Sequence, residues 1–146
     1  AADMDESSFE IIIRNIIKNA LESGSSAPIV VKAGMVSGVG LVVMVRDRGR
    51  GMTSDVLEKA FEPFFHSRPA HQKYDHSTGV GLGLSVARRL ADAQGLRIKL
   101  RSELGRGTTA FVTIPETLVR RSAPQDSATA TEISVIDPAE LQKKTG

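Results

Sequence analysis

The 146-residue chain contains no cysteine, which excludes a disulfide scaffold, thiolate chemistry and cysteine-ligated zinc. Tryptophan is absent too, and the aromatic residues are five phenylalanines and one tyrosine. Cations and anions nearly balance, 19 against 17, and are mixed along the sequence without a basic block. That distribution lacks the footprint of a nucleic-acid binder. No apolar run approaches the roughly 20 residues that a membrane helix needs, and the start Ala1-Ala2-Asp3-Met4-Asp5-Glu6 is acidic where a signal peptide would be basic. The expectation is a soluble, cytoplasmic chain without direct membrane contact, which fits equally a piece cut from a larger protein anchored in the inner membrane. What is present, 40% hydrophobic and 25% charged residues, suffices for one domain with a real core.

Over residues 7–23 the apolar positions Phe9, Ile12, Ile13, Ile16, Ile17, Ala20 and Leu21 recur at three- and four-residue steps, predicting an amphipathic helix. Ser7 or Ser8 suits its cap and Gly24 its stop. Asn15 and Asn19 lie one turn apart on the same face, with Glu22 a further turn along. Asparagine is a mediocre helix former, so two of them stacked among isoleucines are either a polar shoulder or a pair of hard oxygen ligands. A neutral amide suits a magnesium ion whose charge is already balanced by phosphate.

A strand beginning at Ile29 and a β-branched run over 39–45 predict a hairpin, with the turn over 34–40. The second strand delivers Asp47-Arg48-Gly49-Arg50-Gly51-Met52. A carboxylate at the end of a buried strand is an odd place for a charge. It fits a strand-to-helix turn, and it fits equally an acceptor for the exocyclic amine of an adenine, with alternating glycines where a Cβ would obstruct a flat ligand.

Thr53 or Ser54 caps a short helix over 55–60 with Leu57 toward the core. Phe61-Glu62-Pro63-Phe64-Phe65 reads as a hydrophobic anchor pinning one end of a loop. Apolar periodicity then vanishes over residues 66–78, as in a mobile lid over a site. His66, His71 and His76 fall here at five-residue steps, which is not the i, i+4 spacing that zinc ligands on one helix face need. Arg68 and Lys73 are cations that such a lid would carry to phosphates, or plain solubilising charges. Gly79-Val80-Gly81-Leu82-Gly83-Leu84 opens a helix over 84–94, presenting free N–H groups and a positive dipole end to an anion. Leu96 to Leu100 alternates as a half-solvated strand, and Thr108 to Ile114 returns as its antiparallel partner before Pro115. The core domain is read as 1–116. Residues 117–131, rich in Ser, Ala and Thr, read as a linker, followed by a short strand at Ile133 and Val135 and a capped helix at Asp137-Pro138-Ala139-Glu140 that pack back.

The order of these parts, Asn15-x-x-x-Asn19-Ala20, Asp47-x-Gly49-x-Gly51, Phe61-Glu62-Pro63-Phe64-Phe65 and Gly79-x-Gly81-x-Gly83, resembles the N, G1, F and G2 boxes of the catalytic ATP-binding domain of bacterial sensor histidine kinases. That fold is shared with type II topoisomerases, Hsp90 chaperones and MutL. The resemblance spans about residues 7–115. It implies an α/β two-layer sandwich of the Bergerat type, a mixed sheet packed on helices with ATP held under the lid. It implies Mg²⁺ on Asn19 with Asn15 assisting, and the adenine amine on Asp47 with Gly49 and Gly51 making room for the base. Gly81, Leu82, Gly83 and Leu84 would offer N–H groups to the phosphates, and Thr108 would touch adenine through a water.

In the ATPase branch of this superfamily the position four before the Mg²⁺ asparagine is a glutamate that activates water; here it is Asn15. The resemblance therefore implies phosphoryl transfer to a histidine on a separate dimerisation domain, and onward to a response regulator receiver domain. The rival readings are a degenerate adaptor without nucleotide turnover and an ATPase. Three features depart from the family pattern. No phosphoacceptor histidine followed by an acidic residue on a helical pair is seen, Glu22 stands where a basic residue is common, and Ala110 precedes Phe111 where an aromatic is common three residues after Gly107.

Overall fold

The computed structural model describes residues 4–65, 82–122 and 133–136. Helix α1 (Glu6–Leu21) is capped by Asp5, not by Ser7 or Ser8. The Asp5 carboxylate accepts the N–H groups of Ser7 (3.3 Å) and Ser8 (3.1 Å) together with the Ser8 hydroxyl. That hydroxyl, and then the Ser8 N–H, hold the Asp5 carboxyl below its usual range. Ile12, Ile16 and Ala20 are the buried stripe of α1. It packs on α3 (Gly83–Gln94), whose buried residues Ser85, Ala87 and Ala91 are small enough for close approach. The short α2 (Ser54–Glu58) is capped by Thr53, and Leu57 packs on the core as expected.

The sheet comprises β1 (Ile29–Val36), β2 (Gly40–Arg46), β3 (Arg97–Glu103), β4 (Gly107–Pro115) and β5 (Ile133–Ile136), in the order β3-β4-β2-β1-β5. The helices cover one face, where Val43, Val45, Ile98, Leu100, Ala110, Val112 and Ile114 are buried. Register aligns them in rows, Val43 with Val112 and Ile98, Val45 with Ala110 and Leu100. Ile12, Ile16, Ile29, Val45 and Val112 are the largest fully buried side chains, each contributing roughly 1.5–3 kcal/mol by removal from water.

The α/β two-layer sandwich is as expected, but the sheet is not mixed. Every pairing among the described strands is antiparallel. The connection through α2 and α3 joins β2 to β3, two strands of like direction, and β4 lies between them, antiparallel to both. A crossover is present without parallel neighbours. The first hairpin is also longer than predicted: β1 reaches Val36, leaving only residues 37–39 as the turn.

Residues 117–131 are not all linker. The chain continues from Pro115 into α4 (Glu116–Ser122), with acidic Glu116 in the first turn, where the helix dipole favours it, and Leu118 and Val119 against the core. Two apolar residues in one short helix fall below what periodicity can detect. The strand expected at 133 and 135 forms as β5 on the edge of β1. The helix expected at 137–140 lies outside the described residues.

Candidate functional site

Arg46, Thr109 and Arg101 stand in one row, so the C-terminal ends of β2 and β3 and the N-terminal end of β4 share one edge of the sheet. Asp47 follows β2 directly at that edge, only 3% exposed. Its N–H donates to the Thr108 carbonyl at 2.9 Å. Its Oδ1 accepts the N–H groups of Gly49 (2.8 Å) and Thr108 (3.2 Å), which offsets much of the cost of burying a carboxylate. Oδ2 takes no hydrogen bond among the described residues, yet no fully buried side-chain oxygen among them lacks a partner, so Oδ2 reaches the surface. One oxygen is used by the fold and the other is offered outward.

The run after Asp47 is held on three sides. Arg48 N–H donates to Ser25 Oγ, Arg50 N–H to the Ser23 carbonyl and Met52 N–H to Ser102 Oγ, while the Arg50 carbonyl accepts from Gly105 N–H. Gly51 N–H has no partner among the described residues. A Cβ on Gly49 would overlap the Ser23 side chain, and one on Gly51 the Glu103 carbonyl. The space beside these two glycines is therefore filled by the chain itself. Sequence reasoning missed Ser23, Ser25, Ser102 and Gly105, which hold this loop from outside the motif.

Helix α1 runs from this loop to the start of α3. Ser23, just past its end, touches Gly49, while a Cβ placed on Gly83 would sit 3.6 Å from Asn15 Oδ1. Asn19 lies between them on the same face, and positions 15 to 23 span about 12 Å of helix axis. Asn15 and Asn19 are half-buried, and neither side-chain amide has a hydrogen-bond partner among the described residues. Among those residues no cluster of histidine or carboxylate side chains could hold a metal. Two free amide oxygens suit a hard cation that arrives with phosphate.

At α3, Leu82 is the N-cap and supplies no side-chain bond, and the N–H groups of Gly83 and Leu84 have no partner among the described residues. The helix begins one residue before the predicted 84. Gly79, Gly81, Arg68, Lys73 and the three histidines lie outside the described residues. Of the Phe61–Phe65 cluster, Phe61 is the anchor. It packs on the core and carries the Arg88 guanidinium over its ring at 4.9 Å. Phe64 instead is 66% exposed with a left-handed φ of 62°. Ala110, three residues after Gly107, points into the core, and Phe111 lies on the opposite face beneath Arg101.

A family model described as histidine kinase-, DNA gyrase B-, and HSP90-like ATPase matches residues 4–118. The chain belongs to that family. Among its relatives is the sensor histidine kinase AtsR of Burkholderia thailandensis, 32% identical over 128 residues that cover 85% of this chain and 21% of AtsR. Of solved structures, the mycobacterial sensor histidine kinase MprB superposes with a TM-score of 0.62 at 21% identity, covering 76% of this chain and 72% of that one. Full-length ShkA in complex with AMPPNP gives 0.62 at 28% identity, over 76% of this chain and 22% of ShkA. The chain thus spans about a fifth of the length of the curated relatives it matches. In this domain Asn15-x-x-x-Asn19 lies on α1, Asp47-x-Gly49-x-Gly51 on the loop after β2, the run from Phe61 to Phe65 after α2 and Gly83 at the start of α3. Among the described residues no helix is long and apolar enough to cross a membrane.

Proposed function

We propose that the chain is the ATP-binding catalytic domain of a two-component sensor histidine kinase. It would transfer the γ-phosphoryl group of Mg·ATP to a histidine on a dimerisation domain that this sequence does not contain, for passage to a receiver domain. The observation that carries the reading is Asp47, a buried carboxylate with Oδ1 fixed by two backbone N–H groups and Oδ2 left to accept. An acceptor held there matches the amine of adenine and opposes the carbonyl of guanine, a difference of about 1–3 kcal/mol for one unmade buried hydrogen bond. Thr108, bonded to Asp47 through its N–H, would face the same end of the base.

Asn15 and Asn19 would hold Mg²⁺ through their amide oxygens, and the ion would neutralise phosphate charge. The N–H groups of Gly83 and Leu84 would receive phosphate oxygens at the positive end of α3. In the transfer the bond from the γ-phosphorus to the bridging oxygen breaks, leaving ADP, while the unprotonated imidazole nitrogen of the acceptor forms the new bond to phosphorus with its lone pair and the other ring nitrogen gives up its proton to solvent. The chain positions both partners and supplies no nucleophile of its own. Asn15, with no ionisable group, would not activate water, which favours transfer over hydrolysis. Such a domain would work in the cytoplasm, where ATP is, whether or not the parent protein is anchored in the membrane.

With γ-labelled ATP and Mg²⁺ the isolated chain should acquire no label. Adding a histidine-bearing helical domain from a parent kinase should place label on that domain. Label on the isolated chain would contradict the division of labour.

A further inference from the structure

We propose that Ser102 fixes the direction of the Thr108 hydroxyl and so makes Thr108 a hydrogen-bond acceptor only, tuning the site to a purine with an amine at its six-position. The proposal rests on the adenine reading of Asp47 and adds a residue outside every motif found in the sequence.

Ser102 Oγ makes three close contacts: Met52 N at 2.8 Å, the Gly107 carbonyl oxygen at 3.1 Å and Thr108 Oγ1 at 2.8 Å. A serine hydroxyl has one proton and two lone pairs, an amide N–H can only donate and a carbonyl can only accept. One arrangement satisfies all three contacts together. Met52 N–H donates to one lone pair, the serine proton goes to Gly107, and the second lone pair accepts the Thr108 proton. The Thr108 hydroxyl then points its proton inward, and Oγ1 has only lone pairs to present elsewhere.

Thr108 stands beside Asp47, bonded to its Oδ1 through the backbone N–H, and is itself 7% exposed. The two side chains at this point, Asp47 Oδ2 and Thr108 Oγ1, therefore both accept. Adenine offers two N–H bonds at its six-position, and hypoxanthine and guanine offer a carbonyl. Ser102 touches no base in this arrangement. It is a positioning residue, and its contacts to Met52 and Gly107 give it a structural role as well.

The two roles separate in a ratio. Calorimetric titration of the 146-residue chain with Mg·ATP and with Mg·ITP gives the preference for amine over carbonyl. Ser102→Ala releases the Thr108 proton to turn outward, toward an O6 it can serve and against an amine it cannot. The ATP:ITP preference should narrow about tenfold, the loss of roughly one buried hydrogen bond. Ser102→Thr, which keeps the hydroxyl, should stay within a few fold of the unsubstituted chain. Thr108→Val removes the acceptor, leaves the Ser102 bonds to Met52 and Gly107 in place, and should narrow the ratio too, so the test survives if Ser102→Ala does not fold. Equal loss of affinity for both nucleotides in Ser102→Ala, or an unchanged ratio in Thr108→Val, would overturn the assignment. If the unsubstituted chain binds neither nucleotide, the adenine reading itself has failed and this inference falls with it.

Discussion

Asp47→Asn should lower ATP affinity by two orders of magnitude or more while leaving the melting temperature within a few degrees of the parent chain. The asymmetry of the carboxylate decides this. Oδ1 must go on accepting the N–H groups of Gly49 and Thr108, so an asparagine there has to place its amide oxygen inward. The NH₂ group then takes the place of Oδ2 and presents a donor to the N–H of the base. A lost bond to a charged acceptor costs about 1.5–3 kcal/mol and an unsatisfied buried donor about 1–3 more. The fold keeps both of its bonds, so stability is nearly unaffected. Calorimetry alongside a thermal melt checks both halves, and affinity within a few fold of the parent would refute the adenine assignment.

Gly107→Ala should be strongly destabilising, costing about 3 kcal/mol or more and lowering the melting temperature by roughly 10 °C. Gly107 has φ of 96°, and a Cβ there would run into the Asp47 carbonyl and the Arg48 backbone. Those atoms cannot move aside without displacing the loop that holds Asp47. Gly105, two residues earlier in the same turn, is the control. Its φ is 80°, but nothing lies within 4 Å of its Cβ position, so Gly105→Ala should cost only about 1 kcal/mol for the left-handed backbone. Equal losses at the two positions would show that backbone conformation, not the contact with the Asp47 loop, sets the requirement.

The difference between these glycines marks where the sequence could and could not be read. The run before Asp47 announces a buried strand, and an acid at its end is visible without any structure. The alternating glycines after it are visible too, but what they accommodate is not: Ser23 is 26 residues before Gly49 and Glu103 is 52 residues after Gly51 in the numbering, and only folding brings each pair together. Ser102 looks like a polar residue near a strand end, and its importance lies in three partners supplied by two other segments. The antiparallel sheet was hidden for a related reason. The connection from β2 to β3 has the look of a parallel crossover, and the insertion of β4 between them is a long-range event. Local chemistry misled at the start of α1, where two serines drew the eye and the stronger cap was Asp5, one of whose acceptor oxygens also takes the Ser8 hydroxyl.

The proposed site requires that the carboxylate, the two amides and the start of α3 serve one nucleotide. Titrating the unsubstituted chain with ATP in the presence of Mg²⁺ by calorimetry tests this most directly. The account predicts a saturable heat with one nucleotide bound per chain, and no detectable heat at millimolar ATP would contradict it.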